Sequence, residues 1–339
     1  MKRLLPFAPL LLLAALLLSP DAALAGAKQG LDIWWSRVFP ALLPSFICVR
    51  TAQELGLLHR TGSRPRGQLT AVIGFSLVSG APNGAKLLYA MTEDGTLSPT
   101  EGDRLLPYVN TVSPAFLLSI IASELLKNKA LFLPMAVAFY GCILCFALPR
   151  ILQKTMPFSP ILPRSSISGA FPEAFSSAIE SSMLDMLRIG GCILFICTLL
   201  SVFQHIFPNE WASAALAGCM EVSIGTSAIA GLSLPLRAKI GLLTGAAAFG
   251  GLSLVLQTLC CYPSLKLIPY LVKKLMVGIL TGLCCYLLFP LFPNLSAVFA
   301  ARQEVLTRSL SIGALLFSSI LSAAFMAVLS LMIGQKQKN

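Results

Sequence analysis

The sequence is short of charge. Asp, Glu, Lys and Arg make up 12% of it, about half of the ~25% found in soluble domains. Too little polar surface remains to cover a water-soluble body of 339 residues. Histidine is scarcer still. His59 and His205 are the only two; they fall near the ends of apolar blocks and share no constellation. No Ser/His or paired-Asp arrangement replaces them, so haem ligation, zinc chemistry and triad catalysis have no residues to run on. The expectation is no enzyme and no cofactor. Acidic residues number 14 against 25 basic ones, a formal charge of +11. In a soluble protein that excess would suggest nucleic acid. Here Lys and Arg stand between apolar blocks rather than in one basic stripe with aromatics. The charge therefore reads as topology signalling by cytoplasmic loops, and no nucleic-acid partner is expected.

What the chain has is apolar residues in blocks. Hydrophobic residues are 56% of it and mean hydropathy is +0.81. A helix needs roughly 20 apolar residues to cross a bilayer, and such blocks recur. The ten cysteines lie almost wholly inside them. Cys142 and Cys145 have C-x-x-C spacing but no His or acid beside them, so they read as small hydrophobes and no metal is expected.

The amino-terminal block, Leu4 to Leu18 behind Lys2 and Arg3, precedes Ala23-Leu24-Ala25. Cleavage as a signal sequence and retention as a first span both fit. A second block runs from Leu31 to Leu58 with Trp34, Trp35, Pro40 and Pro44; the tryptophans suit an interfacial belt. Gln68 to Met91 is interrupted at Ser79-Gly80-Ala81-Pro82-Asn83-Gly84. Each limb is then about 10 residues, or roughly 15 Å of helix, half a bilayer. Two such limbs around a Gly/Pro/Asn tip predict a re-entrant hairpin, which requires burial in protein or a cavity. Leu105 to Leu126 is a span broken at Asn110-Thr111-Val112-Ser113-Pro114, and Ala130 to Leu148 is a further span.

The second half repeats this order. Pro172 to Phe207 approaches, Ala212 to Leu236 is interrupted at Glu221 to Ser227, and Ala238 to Cys260 is softened at Gly250-Gly251. Spans at Tyr270 to Leu291 and Ser309 to Ile333 follow. The predicted organisation is an N-terminal segment (1–26), a first repeat (30–150), a linker rich in Pro and Ser (151–171), a second repeat (172–292) and a C-terminal helix with a basic tail (293–339). Eight crossings with the amino terminus inside place fifteen basic residues on the inner side and seven outside, which meets the positive-inside rule. That topology makes the first hairpin enter from inside and the second from outside. The fold class is thus all-α and polytopic, with about eight transmembrane helices and two re-entrant hairpins in an inverted repeat. Paired interrupted segments in the two halves point to a transporter binding site.

Intramembrane charge and the broken backbone supply the candidate residues. Lys86, two residues past the first tip, is an expensive cation that suits an anionic carboxylate, or a structural acid partner. Glu221 suits a coupling proton or cation, or an ion pair with Lys86 or Arg188. Asp185 and Arg188, one turn apart, read as an intrahelical pair. Ser79, Asn83, Asn110, Thr111 and Ser113 in the first half, and Ser223, Thr226, Ser227 and Ser253 in the second, offer hydroxyl and amide groups to a substrate. Taken singly, each also suits packing by small residues.

Three segments carry a resemblance. They are Gly30-Leu31-Asp32-Ile33-Trp34-Trp35 running to Phe39-Pro40-Ala41-Leu42-Leu43-Pro44, Gly80-Ala81-Pro82-Asn83-Gly84-Ala85-Lys86, and Asn110-Thr111-Val112-Ser113-Pro114. They are similar to the YlbJ-type sporulation integral membrane proteins. That group, with stage V sporulation protein V, falls in the nucleoside-recognition Gate domain superfamily and resembles concentrative nucleoside transporters. The resemblance covers about residues 30 to 290. It implies a transporter whose leading substrate is dipicolinate, moved out of the mother cell across the outer forespore membrane. Nucleoside transport, or a sporulation scaffold that transports nothing, remain alternatives. The expected partners are the bilayer and a small anion, with homo-oligomerisation open.

Overall fold

The computed structural model describes residues 8–55, 65–93, 95–152, 171–206 and 209–292. The expected span at 309–333 and most of the linker lie outside the described residues. Every regular element among those described is a helix: α1 (Ala8–Leu18), α2 (Pro20–Ile33), α3 (Phe39–Glu54), α4 (Pro65–Ser79), α5 (Asn83–Glu93), α6 (Pro99–Val109), α7 (Phe116–Leu125), α8 (Phe132–Leu152), α9 (Phe171–Ile206), α10 (Glu210–Met220), α11 (Val222–Gly231), α12 (Leu236–Phe249), α13 (Gly251–Cys261) and α14 (Leu267–Leu288). A five-residue π turn, Trp34–Val38, joins α2 to α3, and α7 is π-wound throughout.

Four helices among the described residues are long and apolar enough to cross a membrane: Lys129–Ala147, Phe171–His205, Leu236–Cys261 and Leu267–Leu291. The outer face of α14 exposes Ile268, Val272, Leu275, Met276, Ile279, Leu283 and Leu287. A helix that turns so much hydrocarbon outward is matched to lipid rather than water. The chain is a multi-pass helical membrane protein.

The described helices depart from the expected blocks in places, for physical reasons. The block at 31–58 begins earlier: α2, the π turn and α3 form one continuous helical run from Pro20 to Glu54. Asp21, Lys28, Asp32, Arg37, Arg50 and Glu54 lie along it, which interrupts its apolar stretch. Trp34 is not at an interface. It is buried against α9 and donates Nε1 to the Met186 carbonyl at 2.9 Å. Trp35 beside it is the exposed one. Within the expected 172–207 block, the described residues form the single helix α9.

At each of the two expected hairpin positions lies a pair of short packed helices. The limbs have 15 and 11 residues in α4 and α5, and 11 and 10 in α10 and α11. At 1.5 Å per residue all fall short of the ~30 Å hydrocarbon core. Both broken helices form as well, α6 followed by α7 and α12 followed by α13.

The packing repeats between the halves. Helix α5 lies on α6 and α13; its counterpart α11 lies on α12 and α7. Helix α8 packs on α6 and α12; its counterpart α14 packs on α12 and α6. The self-counterpart pairs α3–α9 and α8–α14 also touch. A unit of approach helix, hairpin, broken helix and long helix thus occurs twice. Helices α12 and α14 meet in a close glycine seam. A Cβ at Gly241, Gly245, Gly278 or Gly282 would lie 2.9–3.0 Å from a glycine carbonyl oxygen of the facing helix, the close approach that small residues four apart permit.

Candidate functional site

The first hairpin turns because Ser79 ends α4 and Gly80 takes φ +77°, where a side chain is strained. A Cβ at Gly80 would sit 2.8 Å from the Ser113 nitrogen. Asn83 then starts α5. The broken helix facing this tip parts at Asn110–Ser113, because Pro114 lacks a donor for the preceding turn. Ser113 Oγ accepts from Phe116 N at 3.3 Å and starts the next helix. Tip and break are joined by Ala81 N donating to the Thr111 carbonyl at 2.7 Å.

The second half builds the same junction differently. Glu221, extended at φ −145°, ends α10 and caps α11 by accepting Ile224 N on Oε2 at 2.8 Å. The facing helix parts at Gly250 and Gly251, both with positive φ. A Cβ at Gly251 would lie 3.0 Å from the Met220 carbonyl oxygen. No larger residue could let the two interruptions approach so closely.

Two links join these junctions. Asn110 Nδ2 donates to Thr258 Oγ1 of α13 at 2.7 Å. Lys274 of α14, completely buried, donates Nζ to the carbonyls of Asn110 at 2.9 Å and Ala248 at 3.0 Å. The two broken helices are therefore tied together by one lysine.

The candidate residues fall as follows. Ser79, Asn83, Asn110, Thr111, Ser113, Glu221, Ser223, Thr226 and Ser253 are all buried along the two junctions. Ser227 is not among them; it lies on the exposed face of α11. Ser79 and Thr226 return their hydroxyls to helix carbonyls, at Phe75 and Val222, and Ser253 accepts from Gln257 at 3.3 Å. The Asn83 amide nitrogen and the Thr111 hydroxyl, both buried, have no hydrogen-bond partner. Buried polar groups of that kind call for an explanation, and a ligand is one.

Lys86 and Glu221 do not pair. Lys86 meets Asp185 of α9. The same carboxylate receives Arg50 of α3 at 3.4 Å and Arg188 at 3.7 Å. Asp185 is 3% exposed, so three cations surround one nearly buried anion. A cleft beside them is lined by Pro82, Asp185, Arg188, Gln257, Cys260 and Cys261, among others. Its volume is about 10 Å³, enough for about one water, so this conformation is closed there. Arg37 pairs with Glu124 of α7 at 2.8 Å.

Sequence reasoning placed Arg50 and Lys274 among inner-side loop charges. Lys274 is fully buried, and Arg50 is half-buried against Asp185. A signal for Lys274 was present: it lies eight residues into a 22-residue apolar helix, about 11 Å from its start. Thr258 and Gln257 were also missed, since one polar residue in an apolar helix carries no period of its own.

The fold and its junctions define a polytopic helical membrane protein with a duplicated unit of hairpin and broken helix. Among proteins of that kind the chain is similar to "Sporulation integral membrane protein YlbJ" of Bacillus subtilis (strain 168). The two are 26% identical, across 84% of this chain and 82% of the relative. No family model matches the chain, and no solved structure matches it.

Proposed function

We propose that this protein carries a small organic anion across a membrane, and is neither an enzyme nor a passive scaffold. The observation that carries the reading is the group of Arg50, Lys86 and Arg188 around the single carboxylate of Asp185, beside a cleft at the first hairpin tip. Two positive charges remain in excess there. A dianion in a low-dielectric site is prohibitively unstable without such partners. Asn83 and Thr111, buried and unpartnered at the same tip, add the polar groups that would orient it. The paired hairpins and breaks are the architecture of carriers that alternate access by moving one repeat against the other, and here the inverted arrangement of the halves is part of the proposal. The closed cleft is then one state of that cycle.

The relative is named as a sporulation membrane protein, and the proposed substrate is dipicolinate, exported from the mother cell across the outer forespore membrane. The test is uptake of dipicolinate into proteoliposomes, with a nucleoside as competitor, beside the dipicolinate content of spores after gene deletion. Saturable uptake and depleted spores are the expected results. Uptake of the nucleoside alone would move the substrate to the uncharged class. No uptake of either by monodisperse protein would leave the scaffold.

A further inference from the structure

Among the described residues the best enclosed cation is Lys274, not one of those around Asp185. It is 0% exposed and makes no ion pair among the described residues. Its acceptors are two main-chain carbonyls from opposite halves of the duplicated unit. Asn110 is the residue on which α6 ends, and Ala248 lies in the last turn of α12. The last four carbonyls of a helix lack partners within it, and each helix C-terminus carries roughly half a negative charge. Two such ends offset about one ammonium. In carriers with broken helices, unwound carbonyls and half-helix C-termini are where a coupling cation is held.

We propose that Lys274 is a tethered cation: its ammonium fills a monovalent-cation site built by the C-terminal ends of α6 and α12, and so ties the two breaks together. The site takes a primary ammonium because the ligands are carbonyl oxygens and α14 supplies the stem. The Asn110–Thr258 bond and the contact of Thr258 Oγ1 with Tyr270 OH at 3.4 Å brace the same crossing. The inference concerns binding and stability, and does not depend on the transport reading.

The experiment removes the tether and returns the ion. Lys274→Ala deletes the equivalent of n-propylammonium and leaves the helix ends intact. In detergent, its melting temperature is expected to fall by roughly 10 °C, as for a buried charged group removed from its partners. Millimolar n-propylammonium chloride should regain at least about 3 °C of this. Choline chloride, too large for the site, and n-propanol, the same length without charge, should regain nothing. Lys274→Met, which fills the space with an apolar side chain, should not respond to any of the three. Should Lys274→Ala not survive purification, membranes are extracted in each salt and the monodisperse fraction is scored, with recovery expected in propylammonium alone. Equal recovery by propanol would reduce Lys274 to a packing residue. No recovery in any solution, or a variant as stable as the native protein, overturns the proposal equally.

Discussion

The two hairpin tips share a backbone plan and differ in chemistry. The first presents a cation, Lys86, together with an amide and a hydroxyl that lack partners. The second presents an acid, Glu221, whose carboxylate is satisfied by the first turn of its own helix, and a threonine that bonds back to Val222 and Ser223. Duplication repeated the fold without repeating the site. The first tip keeps unpartnered polar groups beside the cationic group, and the proposed ligand contact is placed there for that reason. The second tip is internally complete, which suits an element that holds shape.

The strongest way to break this comparison is Asp185→Asn. It leaves Arg50 and Lys86 partly buried without their shared anion, and losing one partner of a buried pair costs about 3–5 kcal/mol. A melting temperature lower by roughly 10 °C is expected. Adding Lys86→Met should recover part of that fall; if the double variant melts lower still, the charges are not one unit.

Next in size are the glycines at the junctions. Gly80→Ala and Gly251→Ala each place a Cβ on a positive-φ residue against facing backbone. About 2 kcal/mol is expected for each, read as the shift in thermal midpoint. A neutral result at either position would mean that tip and break are farther apart than described.

Glu221 separates capping from coupling. Glu221→Ala removes the cap of α11 and should cost about 1 kcal/mol. Glu221→Gln keeps an acceptor oxygen and should cost only a few tenths. If Glu221→Gln transports normally at native stability, the acid serves α11 alone and couples no ion.

The smallest stability change is expected for Thr111→Val. The hydroxyl has no partner to lose, so the melting temperature should stay within about 1 °C or rise. Uptake should nevertheless fall about tenfold if that hydroxyl meets the substrate, since a site built for it rejects mismatch. Thr226→Val, at the second tip, is the control and should leave substrate affinity unchanged.

Much of this was legible in the chain. The first helix pair and both broken helices part where Gly, Pro and Asn interrupt apolar blocks, and the second helix pair parts at Glu221, because such residues act on backbone geometry or capping within a few positions. The recurrence of parts in two halves followed from the same marks. Legibility ended at pairing. Lys86 was open to a substrate or an acid, and its acid is Asp185, about a hundred positions away; Asp185 itself suggested only Arg188. Lys274 resembled a loop charge because Lys273 stands next to it, and a charge count cannot see that one of the two turns inward.

By itself, then, the sequence determined the membrane class and the places where helices stop, because hydrocarbon solubility and local backbone sterics are set residue by residue. Only the tertiary structure decided which charges meet, which tip is left with unpartnered groups and which lysine becomes the centre. Those outcomes depend on distances between helices far apart in the chain, and a buried charge is settled by whatever the fold brings within reach of it.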